Sequence, residues 1–140
     1  LNPDMIIHLG DCWADAEQLH RKFPMTIMEQ VPGNCDCRQD ILERILLIEG
    51  KKILICHGHT FNVKAGYLNL EYAAEERKVD AALFGHTHRV FYDKHNRIAY
   101  MNPGSIGQPP YGIPPSYGVL QVDGSSNTIA TDVIYLEENN

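Results

Sequence analysis

The 140 residues contain no apolar run near the ~18–20 needed to span a bilayer, so a helical membrane span is not expected. They contain no internal repeat and no low-complexity stretch, which argues against solenoids and long linkers. There is no excess of basic charge: 12 Lys+Arg stand against 18 Asp+Glu, a formal net charge of −6. Bulk electrostatic capture of nucleic acid or of an anionic membrane is therefore not expected, because both want a basic face. None of the four cysteines, Cys12, Cys35, Cys37 and Cys56, forms a Cys-x-x-Cys pair. Free thiols in a reducing cytoplasm are the expectation, and no disulfide is needed, since a chain of this length can bury roughly two thirds of its unfolded surface.

What is present is an ordinary apolar content, 44%, and an unusual number of histidines, seven. One domain over residues 1–140 fits the length. Met5 to Leu9 is an apolar run of strand length that ends at Gly10-Asp11. Trp13 to Lys22 has helical spacing, with Pro24 as a stop, and Thr26 to Val31 is a second short strand ending at Pro32-Gly33. Arg44–Ile48 and Lys52–Cys56 flank Glu49-Gly50-Lys51 and read as a hairpin, with a helix over Asp40 to Glu49 as the competitor. Leu68 to Val79 is the strongest helix, and Ala81 to Phe84 is a buried strand. Two more hairpins follow, Val90–Tyr92 with Ile98–Met101 and Tyr117–Val122 with Thr128–Tyr135. Between them Asn102 to Ser116, rich in Gly and Pro, reads as an irregular loop, and Glu137 to Asn140 as a frayed tail. The order β-α-β, then hairpins and one later helix, points to mixed sheets with helices outside.

Four polar segments each follow an apolar strand: Gly10-Asp11, Gly33-Asn34-Cys35-Asp36, His57-Gly58-His59 and Gly85-His86-Thr87-His88. Ligands of open α/β sheets bind just past strand C-termini. The set supplies a carboxylate, an amide oxygen and several imidazoles, donors suited to Mn, Fe, Co, Ni or Zn. Any one Gly-Asp pair is a common turn, and a single histidine after a strand more often bonds a backbone carbonyl. Only the joint occurrence of four segments points to metal.

In this order the four motifs resemble the calcineurin-like metallophosphoesterases. The Gly-Asn-Cys-Asp form and the later Asn102-Pro-Gly-Ser105 are similar to the small bacterial and archaeal phosphodiesterase branch. The resemblance implies an α/β sandwich of two mixed sheets flanked by helices, with two divalent metal ions, manganese first among Mn, Ni, Fe, Co and Zn. It implies that Asp11 bridges the ions, that Asn34, His57 and His86 complete one site and that His88 serves the other. His59 is left to a supporting position or to the phosphate. Cys35 stands where many members carry a histidine that protonates the leaving group, and a thiol, with a pKa near 8.5, is a poorer acid.

The family opens with a strand carrying Asp-x-His. This sequence shows no such motif at the end of an opening strand, and Asp4 precedes its strand, so the fold is expected without that first strand and helix and one ion is expected to keep only Asp11 and His88. An unpaired sheet edge is then expected to favour a homo-oligomer. The implied activity is hydrolysis of small phosphodiesters by a metal-activated water. The competing reading is a non-catalytic scaffold of the same fold, or a shortened inactive form, that binds a partner protein.

Overall fold

The computed structural model describes residues 1–38 and 41–137. Its elements are β1 (Met5–His8), α1 (Trp13–Lys22), β2 (Ile27–Gln30), β3 (Glu43–Ile48), β4 (Lys51–Cys56), a 3-10 turn (His59–Phe61), α2 (Leu68–Glu76), β5 (Ala81–Leu83), β6 (Val90–His95), β7 (Ile98–Pro103), β8 (Ser116–Asp123) and β9 (Thr128–Tyr135). The central sheet has five strands in the order β3-β4-β5-β7-β6. Its middle pairs, β4–β5 and β5–β7, are parallel, and its outer pairs are antiparallel. β1 and β2 form a separate parallel pair, and β8 and β9 an antiparallel one.

Period-2 alternation along the middle strands builds two cores. Ile53, Ile55, Ala81, Leu83, Ala99 and Met101 face one way, and Met5, Ile7 and Leu9 from the β1 segment and Leu120, Ile129 and Val133 from β8–β9 pack on them. Leu54, Cys56, Ala82, Phe84, Ile98 and Tyr100 face the other way, against Leu70 and Ala74 of α2 and against Val63 and Val79. The small pairs therefore act together as one layer of a sandwich, and α2 covers the opposite face of the central sheet. Helix α1 lies beside β2 and buries Ala16. This is the α/β sandwich expected from the sequence.

The competition between hairpin and helix before Gly50 is settled as a hairpin. Glu49 and Gly50 both take positive φ, 50° and 78°, as a tight two-residue turn between twisted strands requires. The competing helix began at Asp40, which lies outside the described residues. The strong helix stops at Glu76 rather than Val79, because Lys78 turns left-handed (φ 53°) and drops Val79 into the core. β6 runs on to His95, since the turn is made by Asn96 and Arg97 and not by the wider Asp93–Asn96 segment. Most of the expected tail, residues 138–140, lies outside the described residues. Among the described residues, no helix is long and apolar enough to cross a membrane.

Candidate metal centre

β1, β2, β4 and β5 end at the same edge of the sandwich, and the segments that follow them meet there. His57 follows β4 directly and is 2% exposed. Its Nδ1 lies 2.7 Å from the carbonyl oxygen of Leu9, which can only accept, so Nδ1 carries the proton. Nε2 then offers a lone pair. Burial holds the pKa of His57 below the ordinary histidine value, so the ring is neutral at pH 7 and Nε2 stays bare.

Three donors surround that lone pair. Asn34 Oδ1 lies at 3.1 Å, His86 Nδ1 at 3.1 Å and Asp11 Oδ2 at 3.5 Å. His86 can share a proton with Nε2, but the carboxylate cannot, and neither can the amide oxygen. A reversed Asn34 amide would donate to Nε2 and still leave Asp11 Oδ2 facing it. Acceptor atoms crowded at this spacing are what a shared cation relieves. Metal–donor bonds of about 2.1 Å put neighbouring donors about 3.0 Å apart in an octahedron and about 3.4 Å apart in a tetrahedron. The backbone carbonyl that orients His57 is also a common partner of ligating imidazoles. The donor set is oxygen and nitrogen with one carboxylate, and it fits a borderline divalent ion. Among the described residues, His, Cys, Asp and Glu side chains alone form no metal cluster of three, so the convergence depends on the amide of Asn34.

His86 sits at φ 68° in the loop after β5, and its pKa is pushed down to about 4, first by burial and then by His57. The His57 and His86 rings meet nearly edge-on at 4.9 Å. His59 closes the group, 5.3 Å from His57 and 6.1 Å from His86, and its Nδ1 is buried with no hydrogen-bond partner among the described residues. Cys35 is exposed, and its backbone N–H donates to Asp11 Oδ1 at 3.0 Å. The Asp11 charge raises the Cys35 pKa, which keeps the thiol protonated. His88 is half-buried in the loop of His86 at φ 60°, and it joins none of the hydrogen bonds and ring contacts that link Asp11, Asn34, His57 and His86.

Two residues that sequence reasoning left without a role hold the loops. Asp36 Oδ2 accepts the N–H groups of Asp11 and Gly33, both at 2.8 Å, and its Oδ1 accepts the N–H of Trp13 at 3.0 Å. One carboxylate thus ties the loop after β1 to the loop after β2. Asn102, fully buried, donates to the Gly85 carbonyl and to Thr87 Oγ1, both at 2.9 Å, and accepts from Gly104 N–H at 3.0 Å. Its signal in the sequence was the Asn-Pro-Gly-Ser turn, read as part of an irregular loop and as a mark of the family resemblance, with no role for Asn102 itself. The crossing leaves no room for side chains at Gly10 or Gly33. A Cβ on Gly10 would lie 2.6 Å from His57 Nδ1, and one on Gly33 would lie 2.6 Å from Asp11 N.

Comparison with known proteins shows the family and the fold. The calcineurin-like phosphoesterase superfamily domain matches residues 1–125. A probable metallophosphoesterase of Bacillus subtilis, YsnB, is 35% identical over 128 residues, 90% of this chain and 73% of that one. The phosphodiesterase YfcE of Escherichia coli is 30% identical over 114 residues, 81% of this chain and 50% of that one. A solved structure of a predicted phosphoesterase from Streptococcus pneumoniae superposes with a TM-score of 0.79 at 26% identity, covering 94% of this chain and 74% of that one.

Replacing Asp36 removes three charge-assisted bonds at once. Asp36→Ala should cost about 2–4 kcal/mol in urea unfolding, and Asp36→Asn should recover part of it. Acid should weaken the metal-free fold through His86. Its folded pKa lies below its unfolded value, so the unfolded chain binds more protons between about pH 6.5 and 4. Stability should therefore fall as pH drops through that window, and His86→Gln should flatten the slope of Tm against pH in the presence of a chelator.

Proposed function

The chain belongs to the calcineurin-like phosphoesterase superfamily, and on that premise we propose that it is a metal-dependent phosphodiesterase acting on small diesters. The observation that supports this most is the bare His57 Nε2 facing Asn34 Oδ1 and Asp11 Oδ2. We assign Asp11, Asn34, His57 and His86 to one divalent ion. A second ion would share Asp11 and take His88, which stands two residues beyond His86 in the same loop.

When bound, divalent ions neutralise the anionic diester and lower the pKa of water from about 15.7 towards 7. The rest is done by the chain. Leu9 holds His57 in the tautomer that leaves Nε2 unprotonated. The low pKa of His86 keeps it neutral through physiological pH, so protons do not compete with a cation there. Asp36 fixes the backbone of Asp11 and Gly33 and so sets the spacing between carboxylate and amide. Cys35, protonated and exposed next to Asp11, is the chain's candidate to give a proton to the leaving oxygen. His59, with its unpartnered Nδ1, is the candidate to contact the phosphoryl group.

The metal itself is the direct probe. Titration with MnCl2, followed by thermal unfolding, should raise the stability by about 2.7 kcal/mol at a hundred times Kd. His57→Ala should weaken binding by well over tenfold. Bis(4-nitrophenyl) phosphate should be hydrolysed only with metal present, with Mn, Ni, Fe, Co and Zn compared in turn. A chain that neither binds divalent ions nor turns over the diester would instead be the partner-binding scaffold of this fold.

A further inference from the structure

The two histidines after β5 stand in backbone forms that side chains rarely adopt, with φ 68° at His86 and φ 60° at His88. Each is the middle residue of a tight turn. Around His86, the Thr87 N–H donates to the Gly85 carbonyl at 2.8 Å, two residues back. A three-residue turn with positive φ at its centre is the rare, strained form. Around His88, the Arg89 N–H donates to Thr87 Oγ1 at 3.1 Å, a turn closed by a side-chain hydroxyl. Such strain persists only where the surroundings over-determine it. Here one side chain holds both turns.

That side chain is Asn102, fully buried near the end of β7. Its Nδ2 donates to the Gly85 carbonyl and to Thr87 Oγ1, both at 2.9 Å. The first is the acceptor that closes the turn around His86, and the second is the acceptor that closes the turn around His88. The partners also fix which way the amide faces. The Gly85 carbonyl can only accept, and the Gly104 N–H, 3.0 Å from Oδ1, can only donate. The Gly85 N–H donates in turn to the His57 carbonyl at 2.9 Å. Gly85 is thus held on one side by the His57 backbone and on the other by Asn102, and the next residue brings its Nδ1 to 3.1 Å from His57 Nε2.

We propose that Asn102 is a positioning residue of the metal centre, an amide that keeps His86 and His88 in their left-handed turns whether or not a cation is bound. This rests on the metal-dependent reading above and adds the residue that prepares two of its ligands. Without the amide the loop relaxes towards the backbone forms that histidine prefers. A cation then has to order it, and affinity falls. Asn102 acts through the loop and takes no part in the reaction.

Three variants separate this role from a merely structural one. Asn102→Asp keeps the shape and the acceptor for Gly104 but sets an oxygen against the Gly85 carbonyl. Thr87→Val keeps the shape of threonine and lacks the hydroxyl, and Thr87→Ser restores it. Amide hydrogen exchange in chelator-treated protein reads the clamp directly. In Asn102→Asp, exchange should quicken about tenfold or more at Thr87 and Arg89 and stay unchanged at Phe84, whose N–H donates to the Met101 carbonyl at 3.0 Å. By calorimetry, zinc should bind about tenfold or more weakly to Asn102→Asp and to Thr87→Val, and within about twofold of the wild type to Thr87→Ser. The Thr87 pair decides alone should Asn102→Asp fail to fold. Unchanged exchange at Thr87 and Arg89, exchange quickened equally at Phe84, or zinc affinity unchanged in both weakened variants would overturn the proposal. A wild type that takes up no zinc, while protection at Thr87 and Arg89 still depends on Asn102, would defeat the metal reading and leave the clamp standing.

Discussion

A single hydrogen bond between two layers of the fold organises the site. His57 ends a strand of the five-stranded sheet, and the Leu9 carbonyl ends a strand of the parallel pair packed upon it, 48 residues away in sequence. Their 2.7 Å contact joins the layers at the edge where the polar loops gather. It also decides which nitrogen of the imidazole is bare. If Nδ1 were the bare nitrogen, the donors around Nε2 would meet a proton instead of a lone pair and the place would be an ordinary hydrogen-bonded cluster. Burial works in the same direction, because it disfavours the charged ring that would carry protons on both nitrogens.

Around that bond the fold keeps side chains out where loops must cross and brings single polar groups in where loops must be tied. Gly10 and Gly33 supply the space, and Asp36 and Asn102 supply the ties. The chain is acidic overall, yet the charge that matters for an anionic diester is local. Bound cations dominate the field of such a site.

The buried strands were the most legible part of the sequence. Met5–Leu9, Lys52–Cys56 and Ala81–Phe84 are largely apolar runs, with Ile53–Cys56 and Ala81–Phe84 buried on both faces as inner parallel strands must be and β1 only half-buried, and each is followed by a polar motif at a strand end. The hairpin before Gly50 was ambiguous because its period fits a helix as well, and two left-handed residues decided it. The turn at Asn96-Arg97 was misplaced because arginine carries no turn signal. Of the site, Asp11, Asn34, His57 and His86 converge as their motifs suggested, whereas His88 stands apart from their hydrogen bonds. The tie made by Asp36 and the stack of Arg38 on Trp13 were not legible. Both join residues about 25 apart through side-chain directions that no spacing rule encodes.

The central claim is that His57 Nε2 is a bare, cation-facing lone pair held so by Leu9. Long-range proton–nitrogen correlation spectra of the imidazoles, taken before and after addition of zinc, a diamagnetic stand-in, report the protonation of each ring nitrogen. The account predicts a His57 with its proton on Nδ1 in both states and an Nε2 resonance that shifts on titration with zinc. A His57 with its proton on Nε2, or an Nε2 resonance unmoved by zinc, would contradict it.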